Sequence, residues 1–153
     1  PERIEDNLRQ RFYYIFTRVN RYPGAPSATI LTLYNNPFLL GNKEVIPVEF
    51  MHGNIPIFGY RIDNFAYLTD LKSIEEVEKE KLKGLDVLVL NALRIEPHPT
   101  HLNLTEALEL IDELRPKRAY LTHISHMLGF HAEVSKHLPT NVYLAYDGLK
   151  IVV

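Results

Sequence analysis

The chain opens on a helical rhythm. In "PERIEDNLRQRFYYIF", Ile4, Leu8, Phe12, Ile15 and Phe16 recur at three- and four-residue spacing, which predicts an amphipathic helix over residues 1–16. Pro1 suits a first helical turn, and Glu2, Glu5 and Asp6 suit the positive end of the helix dipole. A Pro/Gly break, "NRYPGAPSA", follows at residues 20–28. The rhythm then shortens, and "TILTLY" (29–34), "EVIPVEF" (44–50), "IPIFGYRI" (55–62) and "FAYLT" (65–69) read as strands. The segment "NNPFLLGNK" joins the first two. Pro47 inside the second argues for an edge or a bulge, and Asp63-Asn64 reads as a tight hairpin turn.

From Ser73 the texture changes. Ser73 reads as the cap of a short charged helix, "SIEEVEKEKLKG", with Glu76 in the capping-box position and Gly84 at its end. "DVLVLNAL" (86–93) is a continuous apolar run, as in a strand buried on both faces. "NLTEALELIDELRP" (103–116) predicts a capped amphipathic helix burying Leu104, Ala107, Leu108, Ile111 and Leu114. "RAYLT" (118–122) reads as a strand, "GFHAEVSKHLP" (129–139) as a helix, and "VYLAYDGLKIVV" as a hairpin turning at Asp147-Gly148. An antiparallel first part followed by strand–helix alternation predicts an α/β layered domain, a mixed sheet with helices packed on it.

Composition narrows the chemistry. A chain of 153 residues, 46% hydrophobic and 24% charged, is enough for one domain with a real core. Seventeen basic residues against nineteen acidic leave a net charge of -2, so no basic excess points to nucleic acid or an anionic membrane. The absence of cysteine excludes disulfides, thiolate metal ligands and a cysteine nucleophile, and a cytoplasmic setting is the default expectation. No apolar run approaches the ~18 residues of a membrane span. The start at Pro1-Glu2, without Met, carries the expectation of a processed or trimmed chain.

Seven histidines remain to be explained, and five of them follow predicted strands. His52 lies in "FMHGN", His98 and His101 in "EPHPTHLN", and His123 and His126 in "YLTHISHMLGF". Asp70 follows another strand in "YLTD". Each has a plain alternative. A lone loop histidine is usually a surface residue, Asp70 could cap the turn before Ser73, and Asp147 could simply open a type I′ turn. His98 reads as structural or exposed, and His131 and His137 as helix-face residues. Independent decoration rarely puts His or Asp after four strands, however, and strand ends converge on one rim of a sheet. Imidazole and carboxylate without thiolate suit zinc, manganese or iron. His52, Asp70 and His123 alone make one poor site or half of a double one, and no H-x-H or H-E-x-x-H motif occurs.

Together, "VIPVEFMHGNIPIFGYRI", "FAYLTD", "LKGLDVLVLNALR", "PTHLNLTEALELI" and "RAYLTHISHMLGFHAEV…LPTNVYLAYDGLKI" resemble the C-terminal part of metallo-β-lactamase-fold hydrolases, most closely the PhnP-like phosphodiesterase group. The resemblance implies part of an αββα sandwich with a two-metal site at its strand ends, the metals being Mn²⁺ or Zn²⁺. It implies His52, Asp70 and His123 as metal ligands, with Asp70 bridging. It implies His101, in the frame His101, Asn103, Ala107, as the catalytic, phosphate-facing residue, and His126 as a further substrate-side residue. The family's H-x-H-x-D-H motif does not occur in the chain, so the expectation is a single partial domain, inactive alone, whose N-terminal metal-motif half is missing. The implied activity is hydrolysis of a cyclic or small phosphodiester by a hydroxide shared between two metals. Thioester, lactam or nucleic-acid hydrolysis and a non-catalytic binding module are the alternatives. The expected partners are a small phosphodiester and further copies of the chain, with no membrane and with nucleic acid disfavoured.

Overall fold

The computed structural model describes residues 2–17, 23, 24 and 26–152; the readings placed on Pro1 and on residues 20–22 and 25 lie outside the described residues. The chain divides into two compact units, Pro1–Tyr34 and Asn35–Val153. In the first, helix α1 spans Glu2–Arg11 and a single turn, α2, spans Tyr13–Phe16. Arg9 pairs with Glu5 one turn earlier at 2.8 Å. Ile4, Leu8 and Phe12 of the predicted stripe are exposed, and Ile15 and Phe16 are half-buried. Residues 29–34 form no strand. The β-prone run "TILTLY" is overruled because no ladder forms along it, and β-propensity stands only where a pleated surface is packed.

The second unit is built on one seven-stranded sheet, ordered β1 to β7 in sequence. Its strands are β1 Phe38–Leu40, β2 Lys43–His52, β3 Ile55–Ile62, β4 Phe65–Leu68, β5 Val87–Asn91, β6 Arg118–Thr122 and β7 Val142–Leu144. The sheet is antiparallel through β4 and parallel from β4 to β7. That change matches the shift in sequence texture, since parallel strands need crossover segments between them. All five residues of β5 are buried. Strands β4, β6 and β7 contribute Ala66, Leu68, Ala119, Leu121, Val142 and Leu144 to the same core. Helix α4, Leu104–Leu114, contributes Ala107, Leu110, Ile111 and Leu114. Its start is a full capping box: the Asn103 side chain accepts from Glu106 N, and the Glu106 carboxylate accepts from Asn103 N.

Strand β2 explains two readings at once. β1 pairs only with Lys43–Val45, so Pro47 lies past its end, where the missing N–H can face an edge without a strand partner. Polar side chains and loop backbone take over along that edge. Lys81 Nζ donates to Pro47 O at 3.1 Å, and Glu49 N donates to Glu78 Oε2 at 2.8 Å. Further on, Met51 N donates to Ser73 O at 2.8 Å. Ser73 is thus held in an isolated bridge to Met51 and does not cap a helix. Helix α3 is only Glu76–Lys79, entered through Glu75 without a side-chain cap and continued by one 3₁₀ turn.

The remaining differences lie at the C-terminal end. The helix read over residues 129–139 is reduced to α5, His131–Val134, and a 3₁₀ turn. The hairpin after β7 does not form: Leu149 N closes a turn onto Tyr146 O at 3.0 Å, and no strand follows among the described residues. Strand β1 was hidden in "NNPFLLGNK", three residues being too few for a pattern to register. Among the described residues no helix is long and apolar enough to cross a membrane.

Candidate metal centre

Four loops at strand ends bring the chemistry together. His52 ends β2, Asp70 lies two residues past β4, His101 lies in the segment after β5, and His123 follows β6 directly. Backbone hydrogen bonds lace these loops to one another. Leu102 N donates to Leu71 O at 2.8 Å, Lys72 N to Met51 O at 2.8 Å, Ala92 N to Thr122 O at 3.0 Å, and Ser125 N to Leu93 O at 2.9 Å. A rim tied this way presents side chains in fixed register, as a preorganised site requires.

Two of the four side chains stand on strained backbone. Asp70 has φ 67° and His123 has φ 56°, in the left-handed region that residues other than glycine seldom adopt. The other non-glycine cases have ordinary reasons, Asp63 in the β3–β4 turn and Arg115 at the C-terminus of α4. Such strain persists only where surroundings over-determine it, and it gathers at functional sites. For Asp70 the determinant is visible. Asn91, fully buried at the end of β5, accepts from Leu71 N at 2.8 Å and donates to Leu71 O at 3.0 Å, clamping the residue after Asp70.

The carboxylate of Asp70 is the hub. Its Oδ1 is 3.0 Å from His101 Nε2 and 3.3 Å from His123 Nε2. His52, Asp70 and His101 offer ligand atoms that all lie within 4.8 Å of one another. The rings pack as a group: His52 meets His101 edge-on at 4.7 Å, and His101 stacks on His123 at 4.8 Å with 14° between planes. His101 is the most enclosed of the hub's partners, 12% exposed against 41% for His123.

The hydrogen bonds assign the tautomers. His52 Nδ1 faces the carbonyl oxygens of Asp70 and Thr100 at 3.1 and 3.0 Å. Both can only accept, so Nδ1 carries the proton and Nε2 keeps its lone pair, the arrangement that orients a metal-ligating histidine. Thr100 N donates to His98 Nδ1 at 3.3 Å, which makes that atom an acceptor. The Nδ1 of His101, 3.2 Å from it, is then the donor. That leaves the lone pair of His101 Nε2 facing the Asp70 carboxylate, and the contact is attractive only with a proton or a cation between them. Desolvation first, then the positive charges of Arg94 and Lys72, hold the His98 imidazole below its ordinary pKa, in keeping with a neutral acceptor. Imidazole nitrogens gathered around one carboxylate fit a divalent cation.

Of the residues singled out in the sequence, His52, Asp70, His101 and His123 are brought together. His101, read as phosphate-facing, sits in the same close group as His52 and Asp70. His126 begins a 3₁₀ turn, is exposed, and has no hydrogen bond or ring contact with the group among the described residues. His131 is occupied elsewhere, with Nε2 3.3 Å from Leu144 O, and His137 is exposed at the end of a 3₁₀ turn. Sequence reasoning missed Asn91, Thr100 and Gly53. A polar residue inside "LVLNAL" was the available signal for Asn91. At Gly53, φ is 58° and a Cβ would stand 2.9 Å from Thr100 Cγ2, so the His52 turn lies flush against the His101 loop.

Comparison with known proteins is consistent with this geometry. A family model described as "Beta-lactamase superfamily domain" matches residues 1–124. An octanoyltransferase of Porphyromonas gingivalis (strain ATCC BAA-308 / W83) is 35% identical over 154 residues, covering 99% of this chain and 31% of that protein. The crystal structure of a diphosphatase from the PhnP family superposes with TM-score 0.86 at 39% identity, covering 97% of this chain and 55% of that one. The metallo-beta-lactamase fold protein YhfI from Bacillus subtilis superposes with TM-score 0.69 at 18% identity, covering 92% of this chain and 59% of that one. The chain therefore spans under a third of that curated relative and a little over half of each of these two structures.

Proposed function

The chain belongs to the beta-lactamase superfamily, as a PhnP-like member with the metallo-β-lactamase fold, and on that premise we propose that the full-length protein is a divalent-metal phosphodiesterase acting on a small phosphodiester. The observation that carries the proposal is that His101 and His123 stand 3.0 and 3.3 Å from one carboxylate oxygen of Asp70, with His52 in the same close group, at the ends of four strands. Its support for phosphate is local. His101 lies two residues before Asn103, the cap of the eleven-residue helix α4, where the positive end of the helix dipole favours an anion. The likeness to a PhnP-family diphosphatase points the same way.

His52, Asp70 and His123 would hold divalent ions, which when bound would supply Lewis acidity toward the phosphoryl oxygens and lower the pKa of a nearby water. The chain's own residues do the rest. His52 is orientated by its two carbonyl partners, and Asp70 is locked by Asn91 through Leu71. His101, steadied at Nδ1 by His98, is placed to hold a proton at Nε2 against Asp70 and to pass it to the departing ester oxygen as water adds to phosphorus and the P–O bond to that oxygen breaks. Acyl transfer, suggested by the name of the Porphyromonas relative, has less support. The match covers only 31% of that protein.

The test is a substrate panel. The full-length protein, loaded with Mn²⁺ or Zn²⁺, is assayed on bis(4-nitrophenyl) phosphate, a β-lactam and an acyl thioester. Diester hydrolysis that exceeds the other two by orders of magnitude is expected. Preference for the lactam or thioester overturns the assignment.

A further inference from the structure

A cavity of about 300 Å³ opens beside the metal rim, lined by Thr122, His123, Ile124, Ala145, Tyr146 and Asp147. It lies between the loop leaving β6 and the loop leaving β7. His123 belongs to both places: its ring is part of the cavity wall, and its Nε2 is 3.3 Å from the hub carboxylate of Asp70. The sequence "YDG" announced a hairpin that does not form. Its turn closes from Leu149 N to Tyr146 O, and Asp147 stands on the cavity wall with no hydrogen-bond or ion-pair partner among the described residues.

We propose that this cavity receives one ester arm of the substrate and that Asp147, with Thr122 and Tyr146, selects an arm bearing hydroxyl groups. The proposal rests on the phosphodiesterase reading and names the substrate class within it. Three observations carry it. The cavity adjoins the centre through His123, so an arm of a phosphodiester held at the centre reaches it. Its polar wall combines a carboxylate, which only accepts, with a threonine hydroxyl and a tyrosine phenol, which donate and accept; that set matches a polyol. A second phosphate on the arm would face the Asp147 carboxylate at close range, so an additional anionic group is disfavoured.

The experiment uses the Mn²⁺-loaded full-length protein and two diesters with a common leaving group, 4-nitrophenyl glyceryl phosphate and ethyl 4-nitrophenyl phosphate. Release of 4-nitrophenolate gives kcat and KM for wild type, Asp147→Ala and Asp147→Asn, with metal content and melting temperature measured on the same preparations. Wild type is expected to prefer the glyceryl diester. Asp147→Ala is expected to lower the glyceryl-to-ethyl ratio of kcat/KM by about 10- to 100-fold, the worth of a hydrogen bond to a charged group. Asp147→Asn, which keeps an acceptor, should restore part of the ratio. A ratio untouched by either substitution, or both diesters falling equally, overturns the proposal while leaving the phosphodiesterase reading in place. Hydrolysis of neither diester by wild type overturns that reading and this one with it.

Discussion

At Asp70 and His123 the backbone turns left-handed so that a side chain leaving a strand end swings back over the rim. His101 has no such strain and is positioned by its neighbours, Nδ1 toward His98 and Thr100 and Nε2 toward Asp70. If His101 is the proton donor, His101→Ala should lower kcat on a diester by about 10²–10⁴-fold with metal content nearly unchanged. If it is chiefly a ligand, metal content falls in step with activity. Measuring both on one preparation separates these roles. The identity of the four residues was legible in the sequence because each follows a strand. Their conformation was not, since left-handed φ at Asp or His leaves no mark on composition or spacing. Nor was the intimacy of His101 with Asp70, which depends on how a ten-residue segment after β5 folds back.

Elements carry the residues, and the sheet's polar inserts show how. Asn91→Ala fits within the buried β5 position but leaves the Leu71 N–H and carbonyl without their partner, at a cost of about 1–3 kcal/mol in urea or thermal unfolding. Because that clamp sits behind Asp70, metal affinity should also fall, by the roughly 10–100-fold typical of outer partners of a ligand. A stability loss with unchanged affinity would limit Asn91 to a core role. Glu78 does a comparable task at the free edge of β2. Burial raises its pKa, but hydrogen bonds from Lys81, Asn35 and the Glu49 N–H outweigh that and hold it below the ordinary glutamate value. Its carboxylate therefore stabilises the fold above the unfolded pKa of about 4.3, and the contribution is lost as pH falls through the lower folded value. The stability advantage of wild type over Glu78→Gln should be full at pH 7 and shrink on acidification. An advantage independent of pH would show that the charge is not the cause. Helix α4 was readable to its cap, and β5 from its unbroken apolar run. The Ser73 cap was misread because the β2 edge claims that segment's backbone, a tertiary demand with no local signature.

Over the whole molecule, seven strands in sequence order make one rim from loops far apart in the chain. Part of the fold class was visible as the change from alternating strands to strand–helix alternation, and the family likeness supplied the rest. That the chain spans only a little over half of each of the two solved structures was beyond any internal pattern. A metal ion bound by the folded protein but not the unfolded chain stabilises by mass action, about 2.7 kcal/mol at 100 times Kd. Chelation of the full-length protein should lower its melting temperature, and Mn²⁺ or Zn²⁺ should restore it. No shift on chelation would speak against a resident ion.

The most direct measurement is on the hub itself. Asp70→Asn keeps the shape of the side chain and its hydrogen-bonding reach but removes the charge on which the imidazoles converge. Bound metal and the rate of bis(4-nitrophenyl) phosphate hydrolysis are measured for wild type and Asp70→Asn in the full-length protein at equal Mn²⁺. Both should fall together, activity by more than about 100-fold, the upper range for disturbing a ligand's outer partners, with the melting temperature in chelator unchanged. Retention of metal and of diester hydrolysis by Asp70→Asn would contradict the assignment of this rim as the catalytic metal centre.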